Sequence, residues 1–96
     1  MITRIVKMKF TADHIDDFRS LFVDVREKIR GFEGCNGVEL LQDIHESATF
    51  FTYSHWDSEE ALNNYRHSDL FGATWKKTKA MFAERAEAWS VNKRED

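Results

Sequence analysis

The 96-residue sequence has no proline, only four glycines and a single cysteine. The lone cysteine, Cys35, cannot form a disulfide within the chain, which favours a reducing compartment. No apolar run approaches the roughly 20 residues that a membrane-spanning helix needs. Residues 1–10 alternate polar and apolar side chains and lack the apolar core of a signal peptide. We therefore predict a cytoplasmic protein without a membrane segment.

An excess of basic residues is also missing. The chain carries 14 Lys and Arg against 17 Asp and Glu, which gives a net charge of −3 and an isoelectric point near 5.8. Such a surface offers no basic field for phosphates, so we expect no nucleic-acid partner. A glycine-rich phosphate loop and the His-x-x-x-His and Cys-x-x-Cys spacings of zinc sites are absent. The sequence therefore predicts no metal site.

Aromatic side chains, by contrast, are abundant. They make up 14% of the chain and include eight Phe and three Trp. A chain of this length forms one domain, which we place at residues 1–96 with a charged tail from about residue 92. Its core is small, because a domain of this size buries roughly two thirds of its unfolded surface. The aromatic excess therefore suggests a dimer interface or an aromatic cavity.

The spacing of apolar residues predicts a strand followed by a helix. Residues 2–10 alternate as in a half-buried strand, although Arg4 interrupts the apolar register and Ile5 the polar one. Spacings of three and four then place six apolar residues on one face of a helix: Ile15, Phe18, Leu21, Phe22, Val25 and Ile29. We expect Thr11 or Asp13 to cap this helix, and Gly31 to adopt a left-handed conformation after its end.

The second half of the chain predicts a hairpin, a helical region in two parts and a last strand. The runs 37–44 and 48–56 are joined by a short polar link that is typical of a β-hairpin. Asp57 and Glu60 predict a capping-box-like pair at the start of a helical region near residue 58. Ser68 or Asp69 is then expected to cap a longer helix, whose apolar face holds Phe71, Trp75, Thr78 and Phe82. A short strand at 87–92 follows.

The resulting order, β-α-β-β-α-β, is that of the ferredoxin-like α+β fold, in which helices cover one face of a four-stranded antiparallel sheet. The other face meets water or a partner. The hairpin carries large rings in both registers, with Phe51 and Tyr53 on one side and Phe50 and Trp56 on the other. A sheet that is apolar on both faces favours a homodimer in which two sheets pack together.

Two segments, EGCNGVELLQD at 33–43 and FFTYSHWDSEEALNNYRHSDLF at 50–71, resemble the antibiotic biosynthesis monooxygenase family. The family pattern is a Gly-Cys pair, a strand, and Trp-x-Ser-x-Glu-Ala-Leu followed by an aromatic residue or His and then a Ser. In this sequence the second part of the pattern is filled by Trp56, Ser58, Glu60, Ala61, Leu62, Tyr65 and Ser68. The resemblance implies a dimeric α/β barrel, with a cleft between the helices and the sheet of each subunit.

Members of this family include cofactor-independent monooxygenases of polycyclic phenols, anthrones or quinols, as well as haem-degrading enzymes, isomerases and proteins with no assigned activity. The haem-degrading branch has its iron-ligating histidine at the position of Trp75 in this sequence. Indole has no lone pair for iron, because its N–H is a donor only. The resemblance therefore disfavours haem degradation, unless His14, His55 or His67 ligates iron in another geometry.

Four aromatic residues are the first candidates for a site. Trp75 and Phe71 would stack on the ring system of a substrate, while the polar tips of Trp56 and Tyr65 would face it. The competing interpretation is that all four rings pack in the core.

Polar residues complete the candidate site. His55 or Tyr65 would handle a proton, with Asn64 and His67 as further hydrogen-bond donors. Arg4, which lies in the apolar register of the first strand, would balance the charge of a substrate anion. The alternative for His55 and His67 is a hydrogen-bonded position at the end of a strand or helix. The alternative for Arg4 is an ion pair with a glutamate or a position that reaches the edge of the sheet.

The sequence thus predicts a cofactor-independent monooxygenase that oxidises a small aromatic or quinol-type compound with O2. A phenol or quinol bound as its anion can pass an electron directly to O2, so that the protein need only hold it, stabilise the anion and exclude water. Two alternatives stay open. An isomerase or lyase of a small polar metabolite would have a small, histidine-lined pocket. A ligand-binding or structural dimer without enzymatic activity would have uniformly buried rings.

Overall fold

The computed structural model of the protein describes residues 1–95. Its strands are β1 (Ile2–Lys9), β2 (Cys35–Gln42), β3 (Thr49–Trp56) and β4 (Glu87–Val91). They form one antiparallel sheet in the order β2-β3-β1-β4, with β3 and β1 in the centre. This arrangement confirms the predicted ferredoxin-like α+β fold.

Three helices pack on this sheet: α1 (Ile15–Arg30), α2 (Glu59–Arg66) and α3 (Asp69–Lys79). The predicted cap at Ser68 is confirmed, because its hydroxyl accepts a hydrogen bond of 3.2 Å from the backbone N–H of Phe71 and thereby starts α3. Ser58 caps α2 in the same way through the N–H of Ala61 at 3.1 Å. Within residues 1–95, none of the helices has the length and apolar character needed to cross a membrane.

The start and the end of α1 differ from the prediction. Neither Thr11 nor Asp13 caps this helix; His14 precedes it, and no side-chain cap hydrogen bond forms there. A 3₁₀ turn at Ala12–His14 makes the transition, because the N–H of His14 bonds to the carbonyl of Thr11 at 2.9 Å. Gly31 has a φ of −81°, which any residue adopts, so the expectation of a left-handed glycine at this position is wrong.

A left-handed glycine lies instead at the entrance to β2. Gly34 has a φ of 86°, and a Cβ at this position would lie 2.5 Å from the Cβ of Ala61 in α2. Its carbonyl also accepts a hydrogen bond of 2.8 Å from the N–H of Asp57. The predicted pairing of Asp57 with Glu60 is wrong, because the Asp57 carboxylate accepts a hydrogen bond of 2.7 Å from the Asn36 side chain instead. These contacts fix the start of α2 against the sheet.

The hairpin forms as predicted, with small differences in its bounds. Strand β2 lies closer to the N-terminus than the predicted run 37–44, and the chain turns after it. The turn follows from Asp43, whose carboxylate accepts hydrogen bonds from the N–H of His45 at 2.8 Å and of Glu46 at 3.1 Å. Phe10, which the prediction included in the first strand, lies beyond β1 and forms an isolated bridge with Phe82.

The two faces of the sheet have different surroundings. One register of the strands packs against the helices, and its largest fully buried members are Trp56, Phe10 and Phe50. We call the opposite register the outer face; its members include Thr3, Ile5, Lys7, Glu39, Leu41, Phe51, Tyr53, His55, Glu87, Trp89 and Val91. Trp89 is 44% exposed and Val91 41% exposed. The sheet therefore has apolar side chains on both faces, as the sequence predicts.

Candidate functional site

A cavity of about 310 Å³ lies between the helices and the helix-facing register of the sheet. The central strands form its floor, with Arg4 from β1 and Ser54 and Trp56 from β3. Helix α1 contributes an apolar side, made of Phe18, Leu21, Phe22, Val25 and Ile29. A mainly apolar lining with a few polar groups is the usual composition of a small-molecule site.

A continuous series of rings lines the cavity, and we call it the ring wall. It consists of Trp56, Tyr65, Phe71 and Trp75. The ring of Tyr65 stacks on Trp56 with centroids 4.9 Å apart, and it meets Phe71 edge-on at 5.3 Å. Phe71 and Trp75 are nearly parallel, with an interplanar angle of 11° and centroids 5.7 Å apart. The four aromatic residues singled out in the sequence thus lie side by side.

The two tryptophans of the ring wall differ in burial. Trp56 is 1% exposed, and its indole N–H donates a hydrogen bond of 3.0 Å to the hydroxyl of Ser54. Trp75 is only half-buried and meets Phe82 edge-on at 5.5 Å. Trp56 therefore closes the floor of the cavity, whereas Trp75 presents part of its surface to whatever enters it.

Tyr65 is the titratable group of the ring wall. Burial raises the pKa of its phenol to about 12, with a smaller contribution from Cys35. The phenol is therefore protonated at neutral pH and is available as a hydrogen-bond donor. Its position follows from the sequence of α2, because Tyr65 follows the buried Leu62 by three residues and so shares its side of the helix.

Two arginines, Arg4 and Arg66, line the same cavity. Arg4 points from the centre of the sheet toward the helices, and its Nη1 donates a hydrogen bond of 2.9 Å to the hydroxyl of Ser90 in β4. Burial lowers the pKa of Arg4, and the positive charge of Arg66 lowers it further. Within residues 1–95, neither guanidinium forms an ion pair with a carboxylate.

Three other residues singled out in the sequence lie outside the cavity lining. His55 lies on the outer face, where its Nδ1 is 3.0 Å from the hydroxyl of Thr3 and its ring meets Tyr53 edge-on at 4.8 Å. This position follows from strand alternation, because the adjacent Trp56 points to the helices. Asn64 is exposed on α2. His67 is exposed at the end of α2, with its Nδ1 2.8 Å from the carbonyl of Asn63.

Sequence reasoning missed the second arginine. Arg66 belongs to a polar stretch of α2 and is exposed to solvent, but it follows Leu62 by four residues and also reaches the cavity lining. It also missed the hydroxyl groups in the lining, which belong to Thr52, Ser54, Thr74 and Thr78. Among the described residues, no three His, Cys, Asp or Glu side chains are grouped so that they could hold a metal ion.

The fold and the cavity define a small ferredoxin-like α+β domain whose central strands and helices enclose an aromatic pocket. The sequence matches the antibiotic biosynthesis monooxygenase family over residues 1–77, and the chain belongs to this family. No curated protein gives a significant sequence match.

Solved structures share the fold at low sequence identity. A crystal structure described as an antibiotic biosynthesis monooxygenase superposes with a TM-score of 0.92 at 18% identity, over 99% of this chain and 100% of that one. The Rv0793 protein from Mycobacterium tuberculosis gives a TM-score of 0.89 at 14% identity, over 99% and 96% of the two chains. A conserved protein from Methanosarcina mazei gives 0.90 at 19% identity, over 98% and 94%. At such identities the similarity establishes the fold alone.

Proposed function

We propose that the protein is a cofactor-independent monooxygenase that oxidises a small aromatic or quinol-type compound with O2 in the cavity. The observation that carries this proposal is the ring wall, whose members follow one another along a mainly apolar cavity. Such rings offer a planar substrate stacking and edge-on contacts that aliphatic walls lack. Membership of the antibiotic biosynthesis monooxygenase family supports this assignment.

In this reaction the substrate itself supplies the electrons that reduce O2. For an anthrone, the ring CH2 group is oxidised to a carbonyl that takes one oxygen atom from O2. The other oxygen atom leaves as water together with the two hydrogen atoms of the CH2 group. The balance requires no reductant other than the substrate, so the protein acts by binding the anion, orienting it and excluding water.

Each part of the cavity has a role in this proposal. Trp75 and Phe71 stack on the substrate ring, while the apolar side formed by α1 excludes water. The protonated phenol of Tyr65 donates a hydrogen bond to the substrate oxyanion. Arg4 supplies positive charge that holds an anionic substrate in the cavity. Trp56 shapes the floor, because its N–H is already bonded to Ser54.

The composition of the cavity lining favours this proposal over an isomerase or lyase. A pocket for a small polar metabolite would be expected to carry histidine as an acid or base. None of the four histidines of the chain lines the cavity, and its polar members are arginines, hydroxyls and the phenol of Tyr65.

Oxygen uptake by metal-free protein tests the proposal. We expect saturable O2 consumption above the uncatalysed rate with at least one member of a panel of anthrones, naphthols and reduced quinones. Tyr65→Phe and Trp75→Phe should lower this rate, while Val23→Ala on the exposed surface of α1 serves as a control outside both the cavity and the outer face. An absence of uptake across the panel, with the protein folded, would contradict the proposal.

We further propose that two copies pair through their outer faces to form a homodimer. Tyr53, Ile5 and Trp89 lie in register on three neighbouring strands and form an apolar row on this face, flanked by Glu39 of β2. Exposure of these apolar side chains to water is unfavourable. Pairing with the same face of a second copy, about a two-fold axis, removes them from water.

A further inference from the structure

The two arginines of the cavity come from different elements. Arg4 extends from the central strand β1, and Arg66 is the last residue of α2. Both residues line one mainly apolar cavity, although Arg66 is also exposed to solvent, and the charge of Arg66 acts on Arg4. Ser90 holds one nitrogen of Arg4, which orients the guanidinium and leaves its other donors available.

Two like charges beside one cavity repel each other, and an anion bound between them would remove this repulsion. Arg4 is half-buried whereas Arg66 is solvent-exposed, so water screens part of the repulsion. Arg19, Arg26 and Arg30 each lie near a carboxylate of their own helix, whereas the exposed Arg85 and Arg94, like the two cavity arginines, form no described ion pair. Within the described residues Arg4 and Arg66 lack such a partner, so the cavity holds positive charge that a ligand can neutralise.

We propose that Arg4 and Arg66 together bind a carboxylate group carried by the aromatic substrate, separate from the ring position that is oxidised. Guanidinium groups match the planar geometry of a carboxylate and bind it through paired hydrogen bonds. The ring wall then receives the aromatic part of the same molecule. The proposal deepens the proposed function, because it assigns the substrate to the class of aromatic carboxylic acids, but it concerns binding and does not depend on oxidation.

A pair of probes that differ in charge tests this inference. We would measure the binding of 2-naphthoate and of the uncharged 2-naphthylmethanol to the intact protein by calorimetry, with quenching of tryptophan fluorescence as a second readout. The carboxylate should bind at least about tenfold more tightly, since hydrogen bonds to charged groups are the stronger ones. This preference should shrink as sodium chloride is raised to about 0.5 M.

Matched variants assign the preference to the arginine pair. Arg4→Met and Arg66→Met keep much of the apolar side-chain length, and each should reduce the preference for 2-naphthoate by about tenfold while leaving the affinity for 2-naphthylmethanol nearly unchanged. Arg19→Met is the control, because Arg19 is exposed on α1, pairs with Asp16 and does not line the cavity. Thermal unfolding of each variant verifies that the fold is retained.

Several outcomes would overturn the inference. Equal affinity for the two probes, or binding of neither, would mean that the cavity does not select a carboxylate. Full retention of the preference in both Arg4→Met and Arg66→Met would place the anion elsewhere. Displacement of 2-naphthoate by an equal concentration of inorganic phosphate would indicate a site for free anions. Absence of O2 uptake contradicts only the proposed oxidation, because neither probe needs to be oxidised.

Discussion

Replacement of Trp75 by Phe distinguishes a ring that binds a ligand from a ring that only fills the core. Trp56→Phe is the matched comparison, because both residues belong to the ring wall but differ in their surroundings. Trp56 is 1% exposed and is hydrogen-bonded to Ser54 at 3.0 Å. Trp75 is half-buried and lines an existing cavity.

The structure sets the expected size of each effect on stability. Trp56→Phe opens a void at a closed position, at a cost of about 1–2 kcal/mol, and removes a buried hydrogen bond worth about 1 kcal/mol. We therefore expect the free energy of unfolding to fall by about 2–3 kcal/mol. Trp75→Phe only enlarges a cavity that is already present, so we expect a loss of at most about 1 kcal/mol.

Ligand binding should respond in the opposite order. A stacked aromatic contact contributes about 0.5–1.5 kcal/mol beyond the area that it buries, so the smaller ring of Trp75→Phe should weaken 2-naphthoate binding by about three- to tenfold. Urea unfolding followed by circular dichroism gives the stability, and calorimetric titration gives the affinity. If Trp75→Phe lost as much stability as Trp56→Phe and kept its affinity, the ring wall would be ordinary core.

Three further predictions concern Gly34 before β2, the buried phenol of Tyr65 and the outer face. Gly34→Ala should lower the free energy of unfolding by about 2 kcal/mol or more, because of the positive φ and the close Cβ contact. Gly72→Ala, with open space around it, should be neutral or stabilising by up to about 1 kcal/mol, and equal effects of the two variants in urea unfolding would show that the conformation of Gly34 is not required. The pKa of Tyr65 rises from 10 to about 12 on folding, so the unfolded chain loses the phenolic proton first as the pH is raised. Between pH 10 and 12 the free energy of unfolding should therefore fall by about 2–3 kcal/mol more in the parent protein than in Tyr65→Phe. Parallel pH curves for the two proteins would show that the phenol is not buried. Ile5→Lys should convert the proposed dimer to a monomer in size-exclusion light scattering, and Val23→Lys, on the exposed surface of α1, should not; a dimer that survives Ile5→Lys would exclude the outer face as the interface.

The fold was predictable because its signals are local and periodic. The alternation of β1 and the three-and-four spacing of α1 each reflect one buried face, and Ser68 marked the start of α3. The helix-capping residues were less predictable, because a polar side chain near a helix start can bond to a partner elsewhere in the fold instead of to the helix backbone. Asp57 bonds to Asn36 across the fold instead of forming a local capping box, and such a contact has no signal in the local sequence.

The candidate site was predictable only where periodicity determines direction. Arg4 interrupts the apolar register of β1, and a charge in that register points to the helices and hence to the cavity. The alternation of β3 separates His55 from Trp56, yet it does not say which face holds the cavity. Arg66 had no distinguishing signal, because it is exposed in a polar stretch of α2 and only its spacing from Leu62 brings it to the cavity lining.

Oxidation under ¹⁸O2 distinguishes a monooxygenase from a protein that only binds its aromatic ligand. Metal-free protein would be incubated with the panel compound that gives the highest O2 uptake, and the product would be analysed by mass spectrometry beside a protein-free control. We expect one ¹⁸O atom to enter the product, at a rate that exceeds the control and falls in Tyr65→Phe. Product formation no faster than in the control, or a product without the label, would contradict a monooxygenase function for the cavity.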